Sequence, residues 1–166
     1  VTLPSPEQVA EKLVVKMADH AVGDENTVLA TLGLGSCVGV ALYDKFSKVG
    51  GLVHIMLPKN PGGKKIVKYA DTGIPYLVAE MEDIGAKKRN LFAKIVGGAA
   101  MFKSESGDSV MKIGSRNIEA VKETLKIEGI KILGSDVGKD YGRSMYFYIE
   151  NGKVDVKSFS RDLITI

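Results

Sequence analysis

The chain has 166 residues, 45% of them hydrophobic, a length and composition typical of a single globular domain. Its 23 basic and 20 acidic residues leave a net charge of only +3, without the strong basic excess typical of nucleic-acid-binding proteins. A single cysteine excludes an internal disulfide, and no apolar stretch approaches the ~20 residues that span a bilayer. We therefore expect a cytoplasmic protein with a free thiol.

The N-terminal half is predicted to consist mainly of strands. Ser5, Pro6 and Gln8 form the pattern of a helix start, but any helix there must be short. Runs rich in β-branched and apolar residues predict strands at 13–17, 28–31, 38–43 and 49–57. The last two are joined by a short polar link, which predicts that they pair with each other.

The C-terminal half alternates helices with further strands. Apolar residues at helical spacing predict one helix over residues 72–85 and a second over residues 115–128. We expect Asp71 or Thr72 to cap the first helix, with Pro75 in its first turn. Further strands are predicted at 91–96, 130–133, 144–149 and 154–156. This order predicts an α/β (α+β-like) single layered domain, with two main helices on a mixed or largely antiparallel sheet.

Cys37 and His54 are the residues most suited to chemistry. Cys37 ends a glycine-rich turn at the start of one predicted strand, and His54 lies within the next. Antiparallel neighbours bring two such side chains together if the register places both on one face. Histidine is able to take the thiol proton, and the resulting thiolate attacks carbonyl carbon. The pattern indicates an activated thiol, although a lone cysteine and a histidine on an apolar face also occur as ordinary core residues.

Other chemistry finds little support in the sequence. Cys37, His54 and His20 do not make a convincing zinc set, so we expect no metal, and no other cofactor is indicated. His20, beside Asp19, is predicted to be a surface residue. The glycines around residue 35 are not followed by the Lys-Ser/Thr of a phosphate-binding loop.

Five segments together resemble one family, the chemoreceptor glutamine deamidases, CheD. In chain order they are Thr31-Leu-Gly-Leu-Gly-Ser-Cys-Val38, Gly51-Leu-Val-His-Ile-Met-Leu-Pro58, Lys68-Tyr-Ala-Asp-Thr72, Ala93-Lys-Ile-Val-Gly-Gly-Ala-Ala-Met-Phe102 and Ile113-Gly-Ser-Arg-Asn117. The resemblance covers roughly Leu13 to Val156, with the segments in the family's order and spacing. It implies a deamidase domain over residues 13–166, after a leader of residues 1–12 that contains the short helix.

The resemblance implies a Cys/His/Thr triad on a layered domain similar to toxin-type glutamine deamidases. Carried over by position, Cys37 is the nucleophile, His54 the base and Thr31 the third member, while Gly35 and Ser36 are expected beside the substrate. The implied activity is that of a protein-glutamine glutaminase, a cysteine-dependent amidohydrolase. It converts glutamine side chains in the cytoplasmic helices of chemotaxis receptors to glutamate.

The resemblance also implies a second partner, a CheC-type phosphatase, for which Phe102 is the expected contact. Two alternatives stay open: a mainly non-catalytic regulator of that phosphatase, or a thiol amidase acting on another amide. The chain departs from the family at one place, because Lys139 stands where a second glycine is expected. We expect that departure to affect a loop conformation, and we expect the nearby Arg143 to be structural.

Overall fold

The protein has three layers, two β-sheets and a pair of helices, in a computed structural model that describes residues 10–101 and 112–166. The strands are β1 (Glu11–Val14), β2 (His20–Gly23), β3 (Thr27–Leu34), β4 (Val38–Asp44), β5 (Val49–Ile55), β6 (Phe92–Gly97), β7 (Lys131–Val137), β8 (Arg143–Tyr148), β9 (Lys153–Lys157) and β10 (Ile164–Thr165). The helices are α1 (Ala70–Asp83) and α2 (Ile113–Ile127). The predicted class, a layered α/β domain with two main helices, is confirmed. The predicted helix start at Ser5 lies outside the described residues.

Both sheets are mixed. The first has the strand order β1-β3-β8-β9-β10 and the second has the order β2-β5-β4-β6-β7. Neighbouring strands are antiparallel except for β1 with β3 and β6 with β7, which are parallel. The predicted pairing of the strands now assigned as β4 and β5 is confirmed, and these two lie in the middle of the second sheet.

Strands β4 and β5 form the centre of the molecule, and every residue in them is buried. Side chains alternate between the two faces of a strand. Val38, Val40 and Leu42 therefore pack against α1 and α2, whereas Ala41 and Tyr43 pack against the first sheet. Because both faces of β4 are covered, its sequence is a continuous apolar run instead of an alternating one.

Helix α1 begins earlier than predicted and places Pro75 beyond its first turn. Neither predicted capping residue caps it by a side-chain hydrogen bond. Asp71 instead accepts a hydrogen bond from the backbone N–H of Asn60 at 2.9 Å, and the Thr72 hydroxyl donates to the carbonyl of Ile66 at 2.6 Å. The predicted caps are wrong because both side chains hold the preceding loop against the start of the helix.

Short strands account for the main differences from the prediction. β2 has four residues and β10 has two, which is too short for a recognisable alternation. β1 lies earlier than the predicted strand at 13–17, and it pairs in parallel with β3. β7 continues past its predicted end at Leu133, because pairing with β6 extends through the turn-like residues Gly134, Ser135 and Asp136.

Candidate active site

Thr31 and His54 meet between the two sheets, on β3 and β5. The Oγ1 of Thr31 lies 2.7 Å from Nδ1 of His54 and 2.7 Å from the carbonyl oxygen of Val15. A carbonyl oxygen only accepts, so the hydroxyl proton points to Val15 and Thr31 accepts the N–H of Nδ1. This pairing assigns the Nδ1–H tautomer to the neutral imidazole and leaves Nε2 as an acceptor. Nε2 is buried and has no hydrogen-bond partner among the described residues.

Cys37 lies directly before β4, on the face of the second sheet that carries His54. The register pairs Gly39 with His54, so these two positions share a face. Cys37 is two residues before Gly39, on the same side of the chain, and packs against the core between the sheets. Cys37 and His54 are therefore diagonal neighbours across two adjacent chain segments. The structure thus places all three residues of the predicted triad in one region between the sheets.

Gly39 lets the first sheet pack closely beside His54. A Cβ built on Gly39 would overlap the sulfur of Met145 and lie 3.3 Å from side-chain carbons of Leu34 and Thr31. Met145 belongs to β8, which pairs with β3. The missing side chain therefore allows β8 and the Thr31 strand to pack directly over the position opposite His54.

The turn that ends in Cys37 is held by residues that follow β6. The N–H of Gly98 donates to the carbonyl of Cys37 at 2.8 Å, and the N–H of Ala99 donates to the carbonyl of Gly35 at 2.8 Å. In a regular antiparallel pair, the N–H of Cys37 would in turn donate to the carbonyl of Gly98. Among the described residues it donates to no backbone acceptor.

Burial sets the protonation of the Cys37 thiol and the His54 imidazole. His54 is 1% exposed, and loss of hydration lowers its pKa from the ordinary 6.5 to about 4. Cys37 is partly exposed, and burial raises the pKa of its thiol above the ordinary 9.0. Both shifts favour the neutral forms. The resting site is therefore a neutral thiol beside a neutral imidazole.

Gly35 and Ser36, the expected substrate-binding residues, form the turn before Cys37. The position of a Cβ on Gly35 would be 3.1 Å from the Met101 side chain, which is 44% exposed. The carbonyl of Ser36 accepts a hydrogen bond from the side chain of Asn117 at 2.9 Å. The described contacts of Gly35 and Ser36 hold the turn, and their role in substrate binding stays a prediction.

His20, predicted to be a surface residue, is instead half-buried on β2. The register pairs it with Val53, so it faces α1 and lies on the opposite side of the second sheet from His54. Its Nε2 is 3.7 Å from a carboxylate oxygen of Glu80, and its ring packs edge-on against Tyr76. The structure therefore separates the two histidines of the chain.

Two residues beside the site were not predicted from the sequence. Val15 contributes a backbone carbonyl, which leaves no signature in a sequence. Asn117 is fully buried on α2, among positions that face the core. A polar residue on the apolar face of an amphipathic helix was the available signal, because a buried amide needs hydrogen-bond partners.

The loop in which the chain departs from the family keeps a backbone conformation that suits glycine. Lys139 has φ 61°, in the left-handed region, directly after Gly138 at φ 81°. Arg143 is 2% exposed; its Nε donates to Asp136 at 3.0 Å, and its Nη1 donates to the Gly138 carbonyl at 2.8 Å. These contacts support the expected structural role of Arg143 and hold the loop at Gly138, the residue before Lys139.

Comparison with known proteins identifies the family. The model of the family described as CheD chemotactic sensory transduction matches residues 56–158. A protein of Caldanaerobacter subterraneus subsp. tengcongensis is 48% identical over 149 residues, covering 88% of this chain and 92% of its own. The chain belongs to the CheD family. Relatives from Syntrophomonas wolfei (48% identity, 87% of this chain, 91% of theirs) and Clostridium botulinum (46%, 89%, 93%) are, like the first, named "Probable chemoreceptor glutamine deamidase CheD".

The CheD relatives align over the candidate site as well. An alignment over 88% of the chain necessarily spans Thr31, Cys37 and His54, which precede the match to the family model. Among solved structures, a Neisseria meningitidis protein of family DUF152 matches with a TM-score of 0.47 and 14% identity, covering 80% of this chain and 63% of its own. Within the described part of the chain, no helix combines the length and the apolar character needed to cross a bilayer.

Proposed function

We propose that this CheD protein hydrolyses the side-chain carboxamide of glutamine residues in chemoreceptors to glutamate, with Cys37 as nucleophile, His54 as base and Thr31 as the residue that orients His54. The names of its relatives support the substrate. The observation that carries the mechanism is the bond between Thr31 and His54. Because Thr31 donates to Val15, His54 must present Nε2 as an acceptor on the face that carries Cys37.

The first step is addition of the thiol to the carboxamide. Nε2 of His54 takes the proton of Cys37 as Sγ bonds to the carboxamide carbon, and the carbonyl oxygen becomes an oxyanion. The N–H of Cys37, which donates to no backbone acceptor among the described residues, is suited to donate to that oxyanion, because a backbone donor beside the nucleophile needs no rearrangement. Since His54 has a pKa of about 4, its protonated form gives up the proton readily. That proton passes to the leaving nitrogen, the C–N bond breaks, and ammonia departs.

The second step is hydrolysis of the thioester. His54, neutral again, takes a proton from water as the water oxygen bonds to the acyl carbon. The C–S bond then breaks, and the proton returns from His54 to the sulfur. The products are a glutamate side chain and the free thiol of Cys37. Thr31 keeps the same ring nitrogen protonated in both steps, which fixes Nε2 as the atom that accepts and donates.

The proposal is tested by intact-mass analysis of a receptor cytoplasmic fragment incubated with the protein. Each converted side chain adds about 1 Da, because NH₂ is replaced by OH. We expect Cys37→Ala and His54→Gln to abolish the gain, and His20→Gln, the matched histidine control, to retain it. Free glutamine in a parallel incubation tests the alternative amidase. Full activity of folded Cys37→Ala would refute the mechanism, and ammonia release from free glutamine alone would refute the substrate.

A second candidate function, binding of a CheC-type phosphatase, is favoured by the exposure of Met101 beside the Gly35 turn. The predicted contact, Phe102, lies outside the described residues. We expect Cys37→Ala to retain binding in a calorimetric titration, because loss of one sulfur removes little contact area. Met101→Glu and Phe102→Glu should weaken binding, because each places a charge in an apolar contact. Normal binding by both folded variants would place the interface elsewhere.

A further inference from the structure

Asn117 joins the two segments that carry the proposed nucleophile and base. Its Nδ2 donates to the carbonyl of Ser36 at 2.9 Å and to the carbonyl of Met56 at 2.9 Å. Ser36 is the residue before Cys37, and Met56 is the second residue after His54. One amide group on α2 therefore connects the turn before Cys37 to the segment that follows β5, the strand that carries His54.

The orientation of this amide follows from its partners. Both are carbonyl oxygens, which only accept, so the NH₂ group and not the oxygen of Asn117 must face them. The Oδ1 atom is buried and has no hydrogen-bond partner among the described residues. Asparagine is also a poor residue for a helix interior. The side chain thus leaves one buried polar atom unsatisfied while it makes the two bonds that bridge the site.

Helix α2 is held close enough to make this bridge by Gly114. A Cβ built on Gly114 would lie 2.5 Å from the carbonyl oxygens of Gly98 and Ala99. The N–H groups of Gly98 and Ala99 hold the carbonyls of Cys37 and Gly35. The N-terminal end of α2 therefore packs directly on Gly98 and Ala99, which hold the loop that ends in Cys37. Asn117 lies one helical turn after Gly114 and bonds to the same loop at Ser36.

We propose that Asn117 is a positioning residue for the reaction, setting the placement of Cys37 relative to Nε2 of His54. The proposal rests on the proposed function, since it assumes that these two groups react together. Loss of the two bonds would free the Ser36 turn from the Met56 segment without removing any reacting atom. Asn117 would then affect the rate of the chemical step much more than substrate binding.

The test uses Asn117→Asp, which keeps the side-chain shape but replaces the donor with an acceptor, and Asn117→Ser, which shortens the side chain. We expect kcat for receptor-fragment deamidation to fall about 100-fold in Asn117→Asp, because small displacements of a reacting group cost about that much. KM should change by less than about threefold, since the substrate contacts remain. Both variants are assayed at a temperature at which circular dichroism shows the native fold.

Leu125→Ala is the matched control. Leu125 is fully buried on the same helix and packs in the core against the second sheet. Its truncation should lower the thermal midpoint, but kcat should stay within about twofold of wild type, because the bridge is intact. If Leu125→Ala and Asn117→Asp lose kcat equally, Asn117 acts only through stability and the proposal is wrong.

A second readout couples Asn117 to His54 without substrate. Cys37 is the only cysteine, so its alkylation by iodoacetamide is a single-site measurement. At neutral pH we expect Asn117→Asp to slow alkylation in the wild-type background but to have no further effect in a His54→Gln background, because the two residues act as a unit. Equal slowing in both backgrounds, full kcat in folded Asn117 variants, or failure of both variants to fold would overturn the positioning role. Activity of Cys37→Ala would instead refute the proposed function itself.

Discussion

Acidification should destabilise this protein through His54, and the size of the effect follows from burial. His54 has a pKa of about 4 in the folded protein and an ordinary value of 6.5 when exposed. As the pH falls through 6.5, the unfolded chain binds a proton that the folded chain does not, so stability is lost between pH 6.5 and about 4. From pH 7 to pH 5 the loss is about 2 kcal/mol, and it reaches about 3 kcal/mol below the folded pKa.

Urea unfolding at pH 7 and pH 5 measures this loss. Wild type should lose about 2 kcal/mol more than His54→Gln, in which the titrating group is absent. His20→Gln, which changes the other histidine and keeps His54, should still lose stability between these two pH values. If wild type and His54→Gln lose stability equally between these two pH values, His54 is not held neutral by burial. The neutral thiol–imidazole resting state would then be refuted.

Three further outcomes are expected. The kcat/KM of deamidation should stay level as the pH is lowered from about 7 to 5.5 and fall only on approach to the His54 pKa of about 4, whereas a fall centred near pH 6.5 would contradict the buried neutral base. Lys139→Gly should raise the free energy of unfolding by about 0.5 kcal/mol, because relief of the left-handed strain slightly exceeds the added chain entropy. Lys139→Ala should raise it much less, and an equal gain would show that the lysine side chain is responsible. Gly39→Ala should lower the free energy of unfolding by about 1–3 kcal/mol and slow deamidation, because the new methyl group overlaps the sulfur of Met145 and crowds Thr31; unchanged unfolding in urea would refute this packing.

The sequence predicted those elements whose residues carry a strong local pattern. Strands β4 and β5 are long apolar runs, and α1 and α2 show clear helical spacing, so their approximate positions followed from these local patterns. The start of α1 was less well predicted, because side chains expected to cap the helix bind the preceding loop instead. Asp71 has the composition of a helix cap, yet it binds the backbone of the Asn60 loop. No local rule distinguishes these uses, because the choice depends on which partner the folded chain brings close.

The chemical types at the candidate site were also present in the sequence: one thiol, one nearby imidazole, and a resemblance that singled out Thr31. The tertiary structure alone decided how these groups relate. The register of β4 with β5 placed Cys37 and His54 on one face, and the carbonyl of Val15 set the direction of the hydrogen bond between Thr31 and His54. Burial between two sheets then held the thiol and the imidazole neutral. The types of residue at the site and their spacing are read from the sequence. Hydrogen-bond direction and desolvation depend on distant backbone segments that meet only after folding.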